Sequence, residues 1–197
     1  CQQSKPCWQK RTSVMPRLLI ILLILNFYNP AFSSAKQKII SQMKITNILS
    51  FNFTQTVKDK NENGSCIVKY PKKIFCEYIG ANKKIIVSNG KSLVIKIKNS
   101  GNYYIYPLNK TPLDLLLNKE YLISKISTLE ARNVDDKLLV FEIFKDNIQI
   151  NIFFDKKSFN LVGWQTEDIY QNLSITFISS IKINEKIDDK IFKLPKN

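Results

Sequence analysis

The chain has 197 residues, contains no histidine and carries a formal net charge of +14 at pH 7. Its length allows one substantial domain with its own core. The lack of histidine excludes a Ser-His-Asp triad, a Cys-His nucleophile pair and a histidine-ligated metal site.

The positive charge is spread along the chain. Lys5, Lys10, Arg11 and Arg17 account for four of the charges, which leaves +10 for residues 36–197. A basic protein can attract nucleic acid, acidic proteins or lipid headgroups. Because the lysines are scattered along predicted strands, we favour a solvated surface, and a dedicated site for a polyanion stays the alternative.

Residues 15–35 have the order of a secretory signal peptide. A basic start at Met15 to Arg17 precedes eight consecutive apolar residues, and small residues follow. This run is shorter than the about 20 residues that a membrane-spanning helix needs, although an uncleaved anchor stays the alternative. We expect cleavage after Ser33 or Ala35.

Two other segments follow from this assignment. Residues 1–14 precede a candidate initiator, Met15, and we interpret them as an upstream leader outside the fold. The mature chain, residues 36–197, is then expected to be a single domain.

Apolar periodicity predicts one helix followed by many strands. The spacing of Ile39, Ile40 and Met43 is typical of a short amphipathic helix over Lys36 to Ile48. Beyond it, alternation of apolar and polar residues predicts an antiparallel meander with one apolar and one wetted face. The predicted strands cover residues 49–57, 66–70, 74–78, 83–87, 91–98, 103–107, 122–132, 137–144, 148–154, 159–166 and 173–183. Turns are predicted between them, including a polar turn over Asp59 to Gly64 and an Asn89-Gly90 hairpin.

A second predicted helix, Thr111 to Asn118, interrupts the strands. Thr111 is a typical N-cap residue and Pro112 suits the first helical position. The leucines that follow make this helix apolar nearly all round. We therefore expect it to cover an apolar surface.

Two of the four cysteines belong to the predicted mature domain. Cys66 and Cys76 flank Pro71 almost symmetrically, so their side chains can face each other across a hairpin. Exported proteins can form disulfides. The alternative interpretation, two small buried apolar side chains, remains open.

No catalytic or nucleic-acid-binding pattern is present in the sequence. Asp135-Asp136 and Asp188-Asp189 are adjacent pairs, and adjacent side chains on an extended chain point apart. Glu77 lies beside Cys76, but the sequence places no base or nucleophile as its catalytic partner. We therefore expect neither an enzyme nor a nucleic-acid-binding protein.

Several stretches resemble, in order, the motifs of one family. They are Phe51-Asn52-Phe53-Thr54-Gln55; Lys69-Tyr70-Pro71 with Ile74, Glu77 and Tyr78; Ile86 to Lys91; Thr111-Pro112-Leu113 with Leu115 and Leu116; and Asp168 with Phe192 and Pro195. The family pattern is a Phe-x-Gln strand, a Lys-Arg-Pro hairpin, a Val-Ser-Asp-Gly-Lys turn, a Thr-Pro helix, a late Asp turn and a terminal Phe-x-x-Pro. Over residues 36–195 the chain resembles the periplasmic outer-membrane lipoprotein carrier family, LolA.

This resemblance implies a fold and a task. The fold is mainly β: a curved, incompletely closed antiparallel β-barrel with a short α-helical lid over an apolar concave face. The implied task is that of a periplasmic chaperone, without enzymatic activity or cofactor. It takes acylated lipoproteins from the inner-membrane ABC transporter LolCDE and passes them to the outer-membrane acceptor LolB. We expect a monomer, and the alternative is a lipid-sensing or structural interaction module on the same fold, without transport.

The resemblance also implies an acyl-chain site between the apolar strand face and the Thr111–Asn118 helix. Its expected residues are Leu49, Phe51, Phe53, Val68, Tyr70, Ile74, Cys76, Leu93, Ile95, Leu113, Leu116 and Leu117. Tyr70 stands where the family has an arginine whose hydrogen bonds hold the lid shut, and Cys76 stands in place of a tryptophan. Because a tyrosine hydroxyl offers one donor and a guanidinium offers five, the family's closing contact does not carry over.

Overall fold

A computed structural model describes residues 34–80, 83–167 and 172–195, which belong to one compact unit, Ser33–Asn197. The predicted leader, nearly all of the predicted signal peptide and the late Asp168 lie outside the described residues. Within these ranges, no helix is both long enough and apolar enough to cross a membrane.

One antiparallel sheet of eleven strands dominates the described part of the chain. The strands are β1 (Ile48–Val57), β2 (Lys60–Lys69), β3 (Lys73–Ile79), β4 (Lys84–Asn89), β5 (Ser92–Ile97), β6 (Tyr103–Pro107), β7 (Arg132–Val134), β8 (Leu138–Lys145), β9 (Ile148–Asp155), β10 (Leu161–Glu167) and β11 (Leu173–Ile183). Their order in the sheet is β6-β5-β4-β3-β2-β1-β11-β10-β9-β8-β7. The two halves of the meander join where β1 pairs with β11, and β6 and β7 form the edges. The prediction of a mainly β, incompletely closed antiparallel barrel with short helices is confirmed.

The described residues form three α-helices: α1 (Ala35–Ile45), α2 (Leu113–Leu116) and α3 (Lys119–Thr128). Short 3-10 helices cover Leu108–Lys110 and Asp189–Phe192. Helices α1 and α3 pack together, and their buried residues share a core with β8, β9 and the start of β10. The helices therefore cover the face of the sheet that carries Phe141, Ile143 and Ile152.

Helix α1 begins with a complete capping box. The Ser34 hydroxyl accepts a hydrogen bond from the Gln37 N–H, and the Gln37 side chain accepts one from the Ser34 N–H. Such a cap contributes about 1 kcal/mol to helix stability. Of the two predicted cleavage positions, cleavage after Ser33 leaves this cap in place, whereas cleavage after Ala35 removes it.

Two predictions around the middle helices are wrong. Thr111 is not the N-cap of α2, because its hydroxyl donates to the Leu108 carbonyl of the preceding 3-10 turn. The strand predicted over residues 122–132 is mostly helix α3, capped by the Asn118 side chain. Leu122 and Ile126 are spaced four residues apart and face the core together, which is a helical spacing rather than a strand alternation.

The predicted polar turn over Asp59 to Gly64 is also wrong in extent. The chain reverses at Lys58 and Asp59, and β2 already begins at Lys60. Gly64 lies inside this strand opposite Phe53 and Tyr78. A Cβ atom at Gly64 would lie 2.6 Å from the Phe53 ring, so only glycine lets that ring cross β2 to contact Tyr78.

The convex face of the sheet is not uniformly wetted, contrary to the prediction. Val87 and Val94 belong to this face and are fully buried. The 3-10 helix Asp189–Phe192 packs on β3 and β4, and the Phe192 ring is buried with the Lys73 ammonium 5.9 Å from its centre. The late Phe-x-x-Pro stretch thus covers part of the convex side.

A disulfide joins Cys66 and Cys76 in the structure. The two residues pair directly across β2 and β3, with their Cα atoms 4.1 Å apart. Both are buried on the concave side, in the same core cluster as Phe51 and Phe53. Both interpretations left open by the sequence therefore apply: the sulfur atoms link the two strands, and they pack as apolar groups in the core.

Candidate functional site

An apolar cavity of about 90 Å³ lies between the concave face of the sheet and the helices. The strand wall consists of Leu49, Phe51, Val68, Tyr70, Ile74, Ile152, Phe154, Leu161, Trp164, Ile181 and Ile183. The helical wall consists of Ile39, Gln42, Met43, Thr46, Leu113, Leu116, Leu117, Lys119 and Leu122, and a loop adds Phe159 and Asn160. Aliphatic and aromatic side chains form most of this surface, so its chemistry suits a hydrocarbon ligand.

Eight of the twelve residues predicted to bind acyl chains line this cavity. They are Leu49, Phe51, Val68, Tyr70, Ile74, Leu113, Leu116 and Leu117. Phe53, Cys76 and Leu93 are instead buried in the core cluster beside the cavity. Ile95 is half-buried on the same face of β5 as Leu93, away from the cavity lining. Whether any of them binds an acyl chain stays a prediction.

The wall residues missed by the sequence analysis come from α1, α3 and the last three strands. Alternation in β9 already placed Ile150, Ile152 and Phe154 on one face, and the same holds around Trp164. The sequence alone does not show that β1 pairs with β11, with Phe53 opposite Ile178. This pairing brings the last strands beside the first. A helical interpretation of Leu122 and Ile126 would have added α3.

Few polar groups reach the cavity. Burial raises the pKa of the Tyr70 hydroxyl to about 12, so this side chain is neutral at physiological pH. The Gln42 amide donates to the Ser158 carbonyl at 3.0 Å, whereas its Oε1 atom is buried without a hydrogen-bond partner among the described residues. Gln42 Oε1 is thus an acceptor that a water molecule or a ligand N–H could meet.

Lys119 is a buried cation that ties α3 to the end of α1. Its ammonium donates to the Lys44 carbonyl at 3.2 Å, the Thr46 carbonyl at 2.9 Å and the Asn47 side-chain oxygen at 3.3 Å. The first two carbonyls belong to the last turn and the C-cap of α1. A cation suits the negative end of a helix dipole, so Lys119 holds the two helices together.

Asp114 ties α2 to both halves of the sheet. Its carboxylate, only 7% exposed, accepts a hydrogen bond from the Lys72 ammonium at 2.8 Å, and the Lys145 ammonium lies 3.8 Å away. Lys72 lies in the turn between β2 and β3, and Lys145 ends β8 on the other half of the sheet. The Lys72 N–H also donates to the Leu117 carbonyl at 3.0 Å. We call this group, Asp114 with Lys72 and Lys145, the α2 clasp.

The concave face becomes polar beyond Phe53. The Tyr78 hydroxyl donates to Gln55 Oε1 at 3.0 Å, and the Gln55 amide donates to Thr176 at 3.3 Å. Burial and the nearby Glu62 carboxylate raise the pKa of the Tyr78 hydroxyl well above its ordinary value. The apolar cavity is therefore confined to the end of the barrel covered by the helices.

Among the described residues, no three His, Cys, Asp or Glu side chains come together in a way that could hold a metal ion. The site built by the structure is therefore an apolar cavity, with the α2 clasp and Lys119 around it.

The chain belongs to the LolA family: the family model of outer membrane lipoprotein carrier protein LolA matches residues 37–195. Proteins of this superfamily bind other molecules or act as chaperones, rather than as known enzymes. A comparison with curated proteins finds no match.

Solved structures with a similar fold have low sequence identity. A conserved protein from Thermus thermophilus has a TM-score of 0.50 and 7% identity, over 83% of this chain and 96% of that chain. A LolA superfamily protein from Nitrosomonas europaea has a TM-score of 0.45 and 11% identity, over 81% and 97%. MucB in its complex with MucA, from Pseudomonas aeruginosa, has a TM-score of 0.45 and 8% identity, over 82% and 61%. At these identities the similarities concern the fold alone.

Proposed function

We propose that this protein is a periplasmic carrier that shields the acyl chains of lipoproteins in the cavity between sheet and helices. The observation that carries the proposal is the lining of that cavity, which is apolar on both walls and includes Trp164, Phe51 and Leu116. Membership of the LolA family supports the same task.

Energetics explain why such a carrier is needed. Transfer of an acyl chain out of water is favourable by about 0.8 kcal/mol per methylene, so one chain of about sixteen carbons contributes on the order of 12 kcal/mol. A lipoprotein cannot leave a membrane unless a comparable apolar surface receives it. A carrier must also release its cargo, and a cover of short helices that can move away from the sheet provides a route.

Because the cavity is small, the proposal requires that the cover moves. At about 90 Å³ the cavity is far smaller than the about 300 Å³ at the lower end of small-molecule sites. It cannot hold an acyl chain in the described state. Helix α2 has only four residues and is fastened by the α2 clasp, so it is the element whose displacement would enlarge the cavity most directly.

The partners proposed for this task come from the family resemblance. LolCDE would supply the acylated protein at the inner membrane, and LolB would receive it at the outer membrane. No cofactor is required, because no covalent bond is made or broken.

The direct test is a pair of leucine variants. Leu116 lies on helix α2 and lines the cavity, whereas Leu139 lies on strand β8, is buried in the core and does not line the cavity. We expect Leu116→Asp to keep its fold, since a movable cover lets the carboxylate reach water, and to lose binding of a fluorescent fatty acid. The matched Leu139→Asp control buries an unpaired carboxylate on a strand of the sheet, where a moving helix cannot expose it, and should unfold.

Thermal unfolding and probe binding are measured on the same preparations. Unfolding of Leu116→Asp, or full binding by a stable Leu116→Asp protein, would each contradict a ligand cavity under a mobile cover. Transfer of a fluorescent acylated peptide from donor to acceptor vesicles then separates carriage from the alternative of lipid sensing without transport.

A further inference from the structure

The segment that forms one end of the sheet is basic and contains no acidic residues. Residues 78–113 contain six lysines and no Asp or Glu. The lysines are Lys83, Lys84, Lys91, Lys96, Lys98 and Lys110. Among ion pairs between described residues, Lys84 pairs with Glu62 and Lys98 pairs with Glu77, both acids from outside the segment. The segment forms β4, β5 and β6, so its excess positive charge is concentrated at the β6 edge of the sheet.

The same edge exposes large apolar side chains. Tyr104, Ile105 and Tyr106 are 44%, 57% and 43% exposed. In the described part of the chain, β6 pairs with β5 alone, so its other side has no strand neighbour. Consecutive strand residues point to opposite faces, and Tyr104 shares a face with Ile95 while Ile105 shares the other with Val94. Exposed apolar surface therefore wraps around both faces of this edge, which we call the basic edge.

We propose that the basic edge docks onto the surface of an anionic lipid bilayer, with β6 entering the interface edge-on. Lysines near an anionic leaflet are attracted to its headgroups. Tyrosine is enriched where membranes meet water, because its ring is apolar and its hydroxyl is polar. The arrangement gives the protein a membrane contact of its own, separate from the acyl-chain cavity.

The bilayer fits these observations better than another macromolecule does. A partner strand that paired with β6 would satisfy its backbone groups but would leave the apolar side chains on both faces exposed. The headgroup region of a bilayer accepts side chains from both faces of an edge and also hydrates its free backbone groups. A second copy of this chain would bring two positively charged edges together, which is unfavourable. The tyrosines of the basic edge do not line the cavity, and the proposal does not depend on lipoprotein carriage.

Co-sedimentation with vesicles tests the proposal. The protein should bind vesicles of equimolar phosphatidylglycerol and phosphatidylcholine, bind pure phosphatidylcholine weakly, and dissociate as salt is raised. Lys91 and Lys110 are exposed. We expect Lys91→Gln/Lys110→Gln to weaken binding roughly 30-fold, since a lysine near an anionic leaflet contributes about 1 kcal/mol and tenfold corresponds to about 1.4 kcal/mol.

The charge-matched control is Lys137→Gln/Lys157→Gln, which removes two exposed lysines from turns on the other half of the sheet. It should bind vesicles several-fold more tightly than the basic-edge variant. A third variant, Ile105→Ser, keeps all charges and should weaken binding roughly tenfold, because it removes an apolar side chain from the interface.

Three results would overturn the proposal. They are failure of the unaltered protein to bind the anionic vesicles, equal loss in the two lysine double variants, and unchanged binding by Ile105→Ser. Binding of polyglutamate that depends on Lys91 and Lys110, without vesicle binding, would assign the basic edge to an acidic protein partner instead.

Discussion

Replacement of Asp114 by asparagine tests whether the α2 clasp holds the cavity shut. The change keeps the size of the side chain and removes its charge. Asp114 is nearly buried, whereas the side chains of Lys72 and Lys145 are 34% and 39% exposed. After the replacement both ammonium groups can return to water, so no charge is left buried.

The expected loss follows from this exposure. Hydrogen bonds to charged groups contribute about 1.5–3 kcal/mol, and those between neutral groups about 1 kcal/mol. Because Lys72 is partly solvated and the asparagine amide oxygen would still accept a hydrogen bond, we expect the closed state to lose about 1–2 kcal/mol. A change of this size raises the population of an open state about 5- to 30-fold. The association rate of a fluorescent fatty acid, measured by stopped flow, should rise by the same factor if opening limits binding.

Asp136→Asn is the matched control, because Asp136 pairs with Lys156 at 2.8 Å in an exposed turn away from the helices. Its association rate should equal that of the unaltered protein. If Asp114→Asn is less stable yet associates at the unaltered rate, the clasp stabilises the fold without governing access to the cavity, and the reasoning is refuted.

Three further predictions concern the cavity and its strands. The Cys66–Cys76 disulfide joins residues that are ten positions apart. The chain-entropy model predicts that reduction of this disulfide lowers the free energy of unfolding by about 2–3 kcal/mol. Denaturant titrations measure this loss, and an unchanged unfolding midpoint would contradict the prediction. The raised pKa of Tyr70, about 12, means that the folded state keeps its proton to higher pH than the unfolded state. The contribution of Tyr70 to stability is therefore constant below about pH 10. Between about pH 10 and 12 the unfolded state loses the proton first, which lowers the free energy of unfolding. In urea titrations, the free energy of unfolding of Tyr70→Phe should fall less steeply over this window than that of the unaltered protein. Trp164 lines the cavity, so a fatty acid with a quenching group should reduce the protein's fluorescence, and Trp164→Phe should abolish that reduction.

Strand positions could be predicted from the sequence where apolar and polar residues alternate along a half-buried strand. β1 illustrates this: Leu49, Phe51 and Phe53 are all buried and the residues between them are not. The apolar concave face, and with it five of the eight predicted cavity residues, followed from that period of two, whereas the other three belong to α2 and its C-cap. Chain reversals were harder, since Lys60 to Asn63 are polar on both faces at the rim of the barrel, where a strand and a turn have the same composition.

The rest of the site depends on contacts that are distant in sequence. Trp164 and Ile181 reach the cavity only because β11 pairs with β1, and nothing local specifies that register. The β-branched residues of helix α3 favour extended structure, which is why the sequence predicts a strand there. In the structure, packing against α1 and β8 stabilises the helix. Local propensity is outweighed by tertiary burial at this point.

Tyr70 stands where the family resemblance implies an arginine, so the contacts that we expect to hold the cavity closed come from other residues. Tyr70 adds an apolar ring to the lining, and the cations beside the cavity are Lys72 and Lys145 in the α2 clasp and Lys119 between α1 and α3. An exposed ammonium is screened by salt, and at about 1 M the Debye length is only about 3 Å, whereas the buried Lys119 is shielded from the solvent. High salt should therefore release α2 while the contact between α1 and α3 persists. Fatty-acid association should accelerate at such salt concentrations in the unaltered protein and not in Asp114→Asn, and equal acceleration in both would place the salt-sensitive contact elsewhere.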